Sequence, residues 1–145
     1  MRGTKVLIFA VALGAGMAGA ATDSLPELKT RAESTRLEDR PPIYMEIARI
    51  QLRNADKLYN DGNVDPARAA VEDIVGSSQK ASEAAIKTKK HLKNVEIAVR
   101  KMAEKLRDIK RTLNVEDQPP VDAAIKQLED MRTGLLEAMF RKEKK

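Results

Sequence analysis

The sequence predicts an all-α protein: an elongated antiparallel helical bundle with one long central helix over about residues 65–113, two shorter flanking helices and a weak N-terminal helix. Three observations predict it. Apolar residues recur at steps of three and four through most of the chain, which is one face of a helix. Glycine and proline gather at a few places between those stretches, where helices stop and start. Cysteine is absent, so helix packing rather than a disulfide framework has to hold the core.

The first segment reads as an export signal. Arg2 and Lys5 form a positive start, Val6 to Ala18 is an apolar run, and Ala18-Gly19-Ala20 supplies the small residues that a signal peptidase accepts. As a helix the run covers only ~20 Å, against the roughly 30 Å of a bilayer core, so cleavage near Ala20 is expected and a permanent anchor is not. No cysteine follows to carry a lipid. The expected product is periplasmic or secreted. The chain divides into a signal peptide (1–20), a weakly structured or helical arm (21–40) and a helical bundle domain (41–145). In the arm, Ser24-Leu25-Pro26-Glu27 has the pattern of a capping box, but the apolar stripe behind it is thin.

Pro41-Pro42 opens the first clear helix, with Ile43, Ile47, Ile50 and Leu58 on one face up to Asn60. Asp61-Gly62-Asn63 supplies a left-handed stop, and Asp65-Pro66 reads as an N-cap followed by proline at the first helical position. From there Ala67, Val71, Ile74, Ser78, Ala81, Ala85, Thr88, Leu92, Val95, Val99, Met102, Leu106, Ile109 and Leu113 recur in unbroken heptad phase. That phase predicts a single rod of roughly 70 Å, bending if anywhere at Gly76-Ser77-Ser78, where helix propensity is lowest. Asn114 to Pro120 is a polar loop. Val121, Ala124, Ile125, Leu128, Met131, Leu135 and Met139 then mark the last amphipathic helix, which runs into the basic tail Arg141 to Lys145.

The stretch Ala55 to Ile74 resembles the turn region of a tetratricopeptide repeat, with Gly62, Ala67 and Val71 at the places of that family's turn glycine, alanine and following apolar residue. The likeness covers one copy of about twenty residues, and the family's tryptophan is missing. It implies a helical hairpin.

Charge is unevenly placed. Residues 21–73 hold 8 basic and 11 acidic side chains, residues 74–113 hold 11 and 4, and residues 114–145 hold 6 and 7, so the excess of cations belongs to the middle segment. Lys87, Lys89, Lys90, Lys93, Arg100 and Lys101 form its candidate face for an anionic partner, continued by Lys105, Arg107, Lys110 and Arg111.

Catalysis has little to draw on. His91 is the only histidine, it sits among lysines where a surface position is expected, and no G-x-S-x-G turn offers a nucleophile. Neighbouring carboxylates such as Glu72-Asp73 and Glu129-Asp130 point in different directions on a helix. A di-iron bundle needs two Glu-x-x-His pairs, which a single histidine cannot supply. Haem would need His91 opposite a methionine such as Met45 or Met139, with no cysteine for covalent attachment. Three aromatic residues after the signal, Tyr44, Tyr59 and Phe140, are too few to stack nucleic-acid bases. No enzyme, cofactor, metal or nucleic-acid partner is therefore expected, nor a transmembrane segment in the mature chain. The expectation is an envelope protein that works through helix packing with a protein partner or with itself, because Ile86 and Ile97 fall off the main seam. The alternative is a binder of lipid headgroups or cell-wall polymer through the basic face, and a haem- or metal-carrying bundle is the remote third.

Overall fold

The computed structural model describes residues 23–143; the signal segment expected at 1–20 lies outside the described residues. Among them every regular element is helical: α1 (Leu25–Ser34), α2 (Arg40–Asn60), α3 (Val64–Thr88), α4 (Leu92–Arg111) and α5 (Gln118–Glu143), with short 3-10 turns at Leu37–Asp39 and Val115–Asp117.

Each boundary has a local cause. The arm takes the helical option: the Ser24 hydroxyl accepts from the Glu27 N–H while the Glu27 carboxylate accepts from the Ser24 N–H, and Leu28 and Ala32 are buried on α2 and α3. α2 begins just before Pro41-Pro42 and ends in a Schellman turn. There Gly62 adopts φ +78, its N–H reaches the Tyr59 carbonyl at 3.1 Å, and the Asn63 N–H reaches the Leu58 carbonyl at 2.8 Å. α3 starts two residues earlier than it would with Asp65 as its N-cap. Asn63 holds that position, and Asp65 sits in the first turn, where its charge suits the positive end of the helix.

The single rod expected over 65–113 is two helices. α3 passes through Gly76-Ser77-Ser78 without a break and stops at Thr88; Lys89 (φ 59) and His91 (φ 65) are both left-handed, and α4 begins at Leu92. Two left-handed residues out of three turn the chain back on itself. The Thr88 hydroxyl supports the turn, donating to the Ala84 carbonyl at 2.7 Å and accepting from the Lys90 N–H at 3.3 Å. A straight helix would have set Lys89 and Lys93 four apart and Lys87, Lys90 and Lys93 three apart, all repelling on one face.

Contacts between helices fix their directions. Gln51 to Asp73 at 2.6 Å, and Lys80 over the Tyr44 ring at 5.6 Å, set α2 and α3 antiparallel. Arg132 to Glu96 at 2.9 Å and Lys110 to Asp122 at 2.6 Å set α4 and α5 antiparallel. With α3 and α4 joined by the reversal, α4 runs parallel to α2, which it meets at Lys105–Asp56, 3.3 Å, and α5, antiparallel to α4, runs parallel to α3, which it meets where Ile86 lies against Gly134. The result is an up-down-up-down bundle with α1 laid over the α2–α3 groove, its Lys29 paired with Asp73 at 3.1 Å. The longest helix described has 26 residues, or about 39 Å, so the molecule is far shorter than a rod-based bundle.

The seam itself is where the heptads put it. Ala67, Val71, Ile74, Ser78, Ala81 and Ala85 of α3 and Leu92, Val95, Val99, Met102, Leu106 and Ile109 of α4 are all buried, facing Ile47, Val121, Leu128 and Leu135 across the core. Small residues in the middle of α3 let α2 pack along it, the most extensive contact between two helices among the described residues.

Candidate functional site

Folding back at Lys89–His91 splits the basic stretch into two parts with different fates. In the second part each cation meets a carboxylate: Lys105 with Asp56, Arg107 with Glu129, Lys110 with Asp122 and Arg111 with Asp108. In the first part Lys87, Lys89, Lys90 and Lys93 are exposed, and among the described residues none of them reaches a carboxylate. These four stand on and beside one turn. α4 starts there without an acidic residue in its first turn or a side-chain cap, so the positive end of its dipole adds to the lysines. Because α5 runs parallel to α3, Arg141 comes to the same end of the bundle.

The other two residues of the expected basic face are placed elsewhere. Arg100 turns to Glu96, its Nε 3.2 Å from Oε1, and Arg132 of α5 brings its own Nε to the same oxygen at 2.9 Å. Glu96 is the buried acid of the molecule, its side chain only 8% exposed, and it ties α4 to α5. Nothing in the heptad pattern singles it out, since an isolated glutamate on a helix reads as solvated. Lys101 is exposed on the rim of a different feature.

That feature is a groove of about 620 Å³ where α2 and α4 lie side by side but pack loosely. Met45, Leu52, Val95, Ile97, Ala98 and Met102 line it, Arg49, Lys101 and Lys105 stand along it, and His91 and Asn94 close one end. His91 is half-buried rather than on the open surface, and it shares this groove with Met45; Met139, the other methionine paired with it on sequence grounds, is not among the lining residues. The groove exists only because the chain reverses, which is why a straight-rod reading of residues 65–113 misses it.

Three buried hydroxyls lack a partner: Tyr59, Ser78 and Ser82. Burial raises the pKa of the Tyr59 phenol above its usual value, opposed in part by the nearby Arg68 charge. The Asp117 carboxylate lies near enough to the Tyr59 phenol to raise its pKa further, but no hydrogen bond joins them. Among the described residues no three of the His, Cys, Asp and Glu side chains come together as a metal site, and no helix is long and apolar enough to cross a membrane.

The fold defines a class, an all-α bundle of antiparallel helices, and comparison with known proteins adds no narrower one: no family model, curated protein or solved structure matches the chain.

Proposed function

We propose that the protein is an exported, non-enzymatic interaction protein of the bacterial envelope, which holds an anionic surface by its basic turn. Lipid headgroups and cell-wall polymer both carry the required charge. The observation that carries the reading is the partition of the cations. Those of 105–111 are spent on carboxylates of α2, α4 and α5, whereas Lys87, Lys89, Lys90 and Lys93 stand on and beside one turn and meet no carboxylate among the described residues. Like charges collected on one turn repel one another, and a polyanion relieves that repulsion. Localisation in the envelope rests on the start of the sequence as an export signal ending near Ala20.

Co-sedimentation of the mature chain with anionic and with zwitterionic vesicles tests the reading, with an anionic cell-wall polymer in a parallel arm to tell the two surfaces apart. Binding to an anionic partner is expected to fall steeply as salt shortens the Debye length from about 10 Å to about 3 Å. Reversing three charges with Lys89→Glu, Lys90→Glu and Lys93→Glu is expected to weaken vesicle binding by about a hundredfold or more, since each lysine near such a surface contributes about 1 kcal/mol. Binding that ignores both changes contradicts the reading.

Self-association through helix packing is a second reading, favoured by Phe140, which is 62% exposed near the end of α5, and by Ile86 at 38%. Sedimentation equilibrium showing dimers that Phe140→Ser dissolves supports it; a strict monomer at all concentrations contradicts it.

A further inference from the structure

We propose that the groove between α2 and α4 binds a single-chain fatty carboxylate, its head group held between Arg49 and Lys101 and its tail laid along Met45 and Ile97 toward Pro42. This goes beyond the basic turn, whose four lysines are not among the residues that line the groove.

The lining identifies the ligand class. The apolar groups in it are aliphatic or thioether, and the one aromatic ring in its lining, the His91 imidazole, stands at its end, so no pair of rings is there to sandwich a base, a sugar or a planar cofactor. The floor residues Val95, Ala98 and Met102 are apolar, and the neutral polar side chains of the lining, His91 and Asn94, stand at one end, so the length between suits a hydrocarbon tail better than a ligand carrying several hydroxyls. Two flexible methionines, Met45 and Met102, each 2% exposed, can re-pack around a tail of variable shape. The volume lies within the range of small-molecule sites, roughly 300–1,000 Å³.

The position of the cations identifies the head group. Since Asp56 stands level with Lys105, Arg49 stands within a turn of Lys101 on the opposite wall. Lys105 is engaged by Asp56, and among the described residues the one carboxylate paired with Arg49, that of Glu46, is 3.8 Å away, so Arg49 and Lys101 are left to share one anion. From Lys101 back to His91 is ten residues of helix, about 15 Å, which sets the length of tail that the groove covers.

Other occupants fit less well. A partner helix needs roughly 800 Å² of surface on each side of a stable interface, and here the floor residues Val95, Ala98 and Met102 are already at most 5% exposed, leaving a strip about as wide as one chain. A second copy inserting Phe140 would bring Arg141 beside it toward a cationic rim.

The test is displacement of dansyl-labelled undecanoate from the mature protein by hexanoate, octanoate and decanoate. Affinity is expected to tighten by roughly fourfold per added methylene until the tail outruns the groove. Decanol should compete about tenfold less well than decanoate, and the Arg49→Glu, Lys101→Glu double variant should lose about tenfold in decanoate affinity. Ile97→Glu, at a half-buried position on the groove wall, should abolish probe binding while circular dichroism stays that of the parent. Lys89→Glu with Lys90→Glu should leave probe binding unchanged, so failure here and failure of the basic-turn reading are distinguishable. No probe binding by the parent protein overturns the proposal, as does equal competition by decanol. A haemin Soret shift that depends on His91 and displaces the probe also overturns it, in favour of a planar cofactor.

Discussion

Glu96 shows what a single buried charge does in this bundle. Its carboxylate is shielded from water, yet both its arginine partners are more than 40% exposed, so Arg100 and Arg132 remain solvated when the acid is removed. Glu96→Ala is therefore expected to cost about 1–2 kcal/mol, less than breaking a pair buried on both sides, as read by urea unfolding. Tyr59 makes the opposite case. Its hydroxyl is buried without a partner, so Tyr59→Phe is expected to leave stability unchanged or raise it by about 1 kcal/mol at neutral pH. The sign of its pH dependence follows from the raised pKa. Folding favours the neutral phenol, so this contribution is intact below the ordinary tyrosine value near 10 and is lost as pH rises through the higher folded value. Loss of folded signal on alkaline titration should accordingly shift to higher pH in Tyr59→Phe. Neither residue's role is legible in the sequence, because burial of one acid or one phenol depends on which neighbouring helix arrives over it.

The element that decides the architecture is the turn at Lys89–His91. The heptads named the core residues of α3 and α4 correctly, and the capping box, the Gly62 stop and the paired prolines located the other boundaries to within a few residues. The reversal was hidden because the three turn residues leave the seam in phase on both sides, and because no glycine, proline or asparagine marks the left-handed positions. Gly76, the residue that most looked like a break, lies inside α3 with open space where an added Cβ would stand. Two substitutions separate these readings. Gly76→Ala should stabilise by about 0.5–1 kcal/mol, as expected for a glycine within a helix. Lys89→Gly should also stabilise, by up to about 1 kcal/mol, because φ 59 strains a residue with a side chain. In a continuous helix the same change would cost about 1 kcal/mol, so thermal unfolding reads the turn by the sign of its shift.

At the scale of the whole molecule, the reversal does three things together. It folds α4 beside α2 so that the seam is covered by the chain's own helices, it opens the groove between Met45 and Ile97, and it gathers at one end four lysines that meet no carboxylate among the described residues. The uneven charge of the sequence was visible from the start, but its partition into a paired and an unpaired half was not, since Asp56, Asp122 and Glu129 come from distant segments. The absence of cysteine makes the direct measurement straightforward: spin labels at Arg68→Cys and Glu104→Cys, both exposed, and the distance between them by double electron–electron resonance. With neighbouring helices about 10 Å apart, the bundle predicts a distribution centred below about 30 Å even with the reach of the labels. A continuous helix through residues 88–92 places the two sites about 54 Å apart, and a peak there would contradict the fold-back, the groove and the basic turn at once.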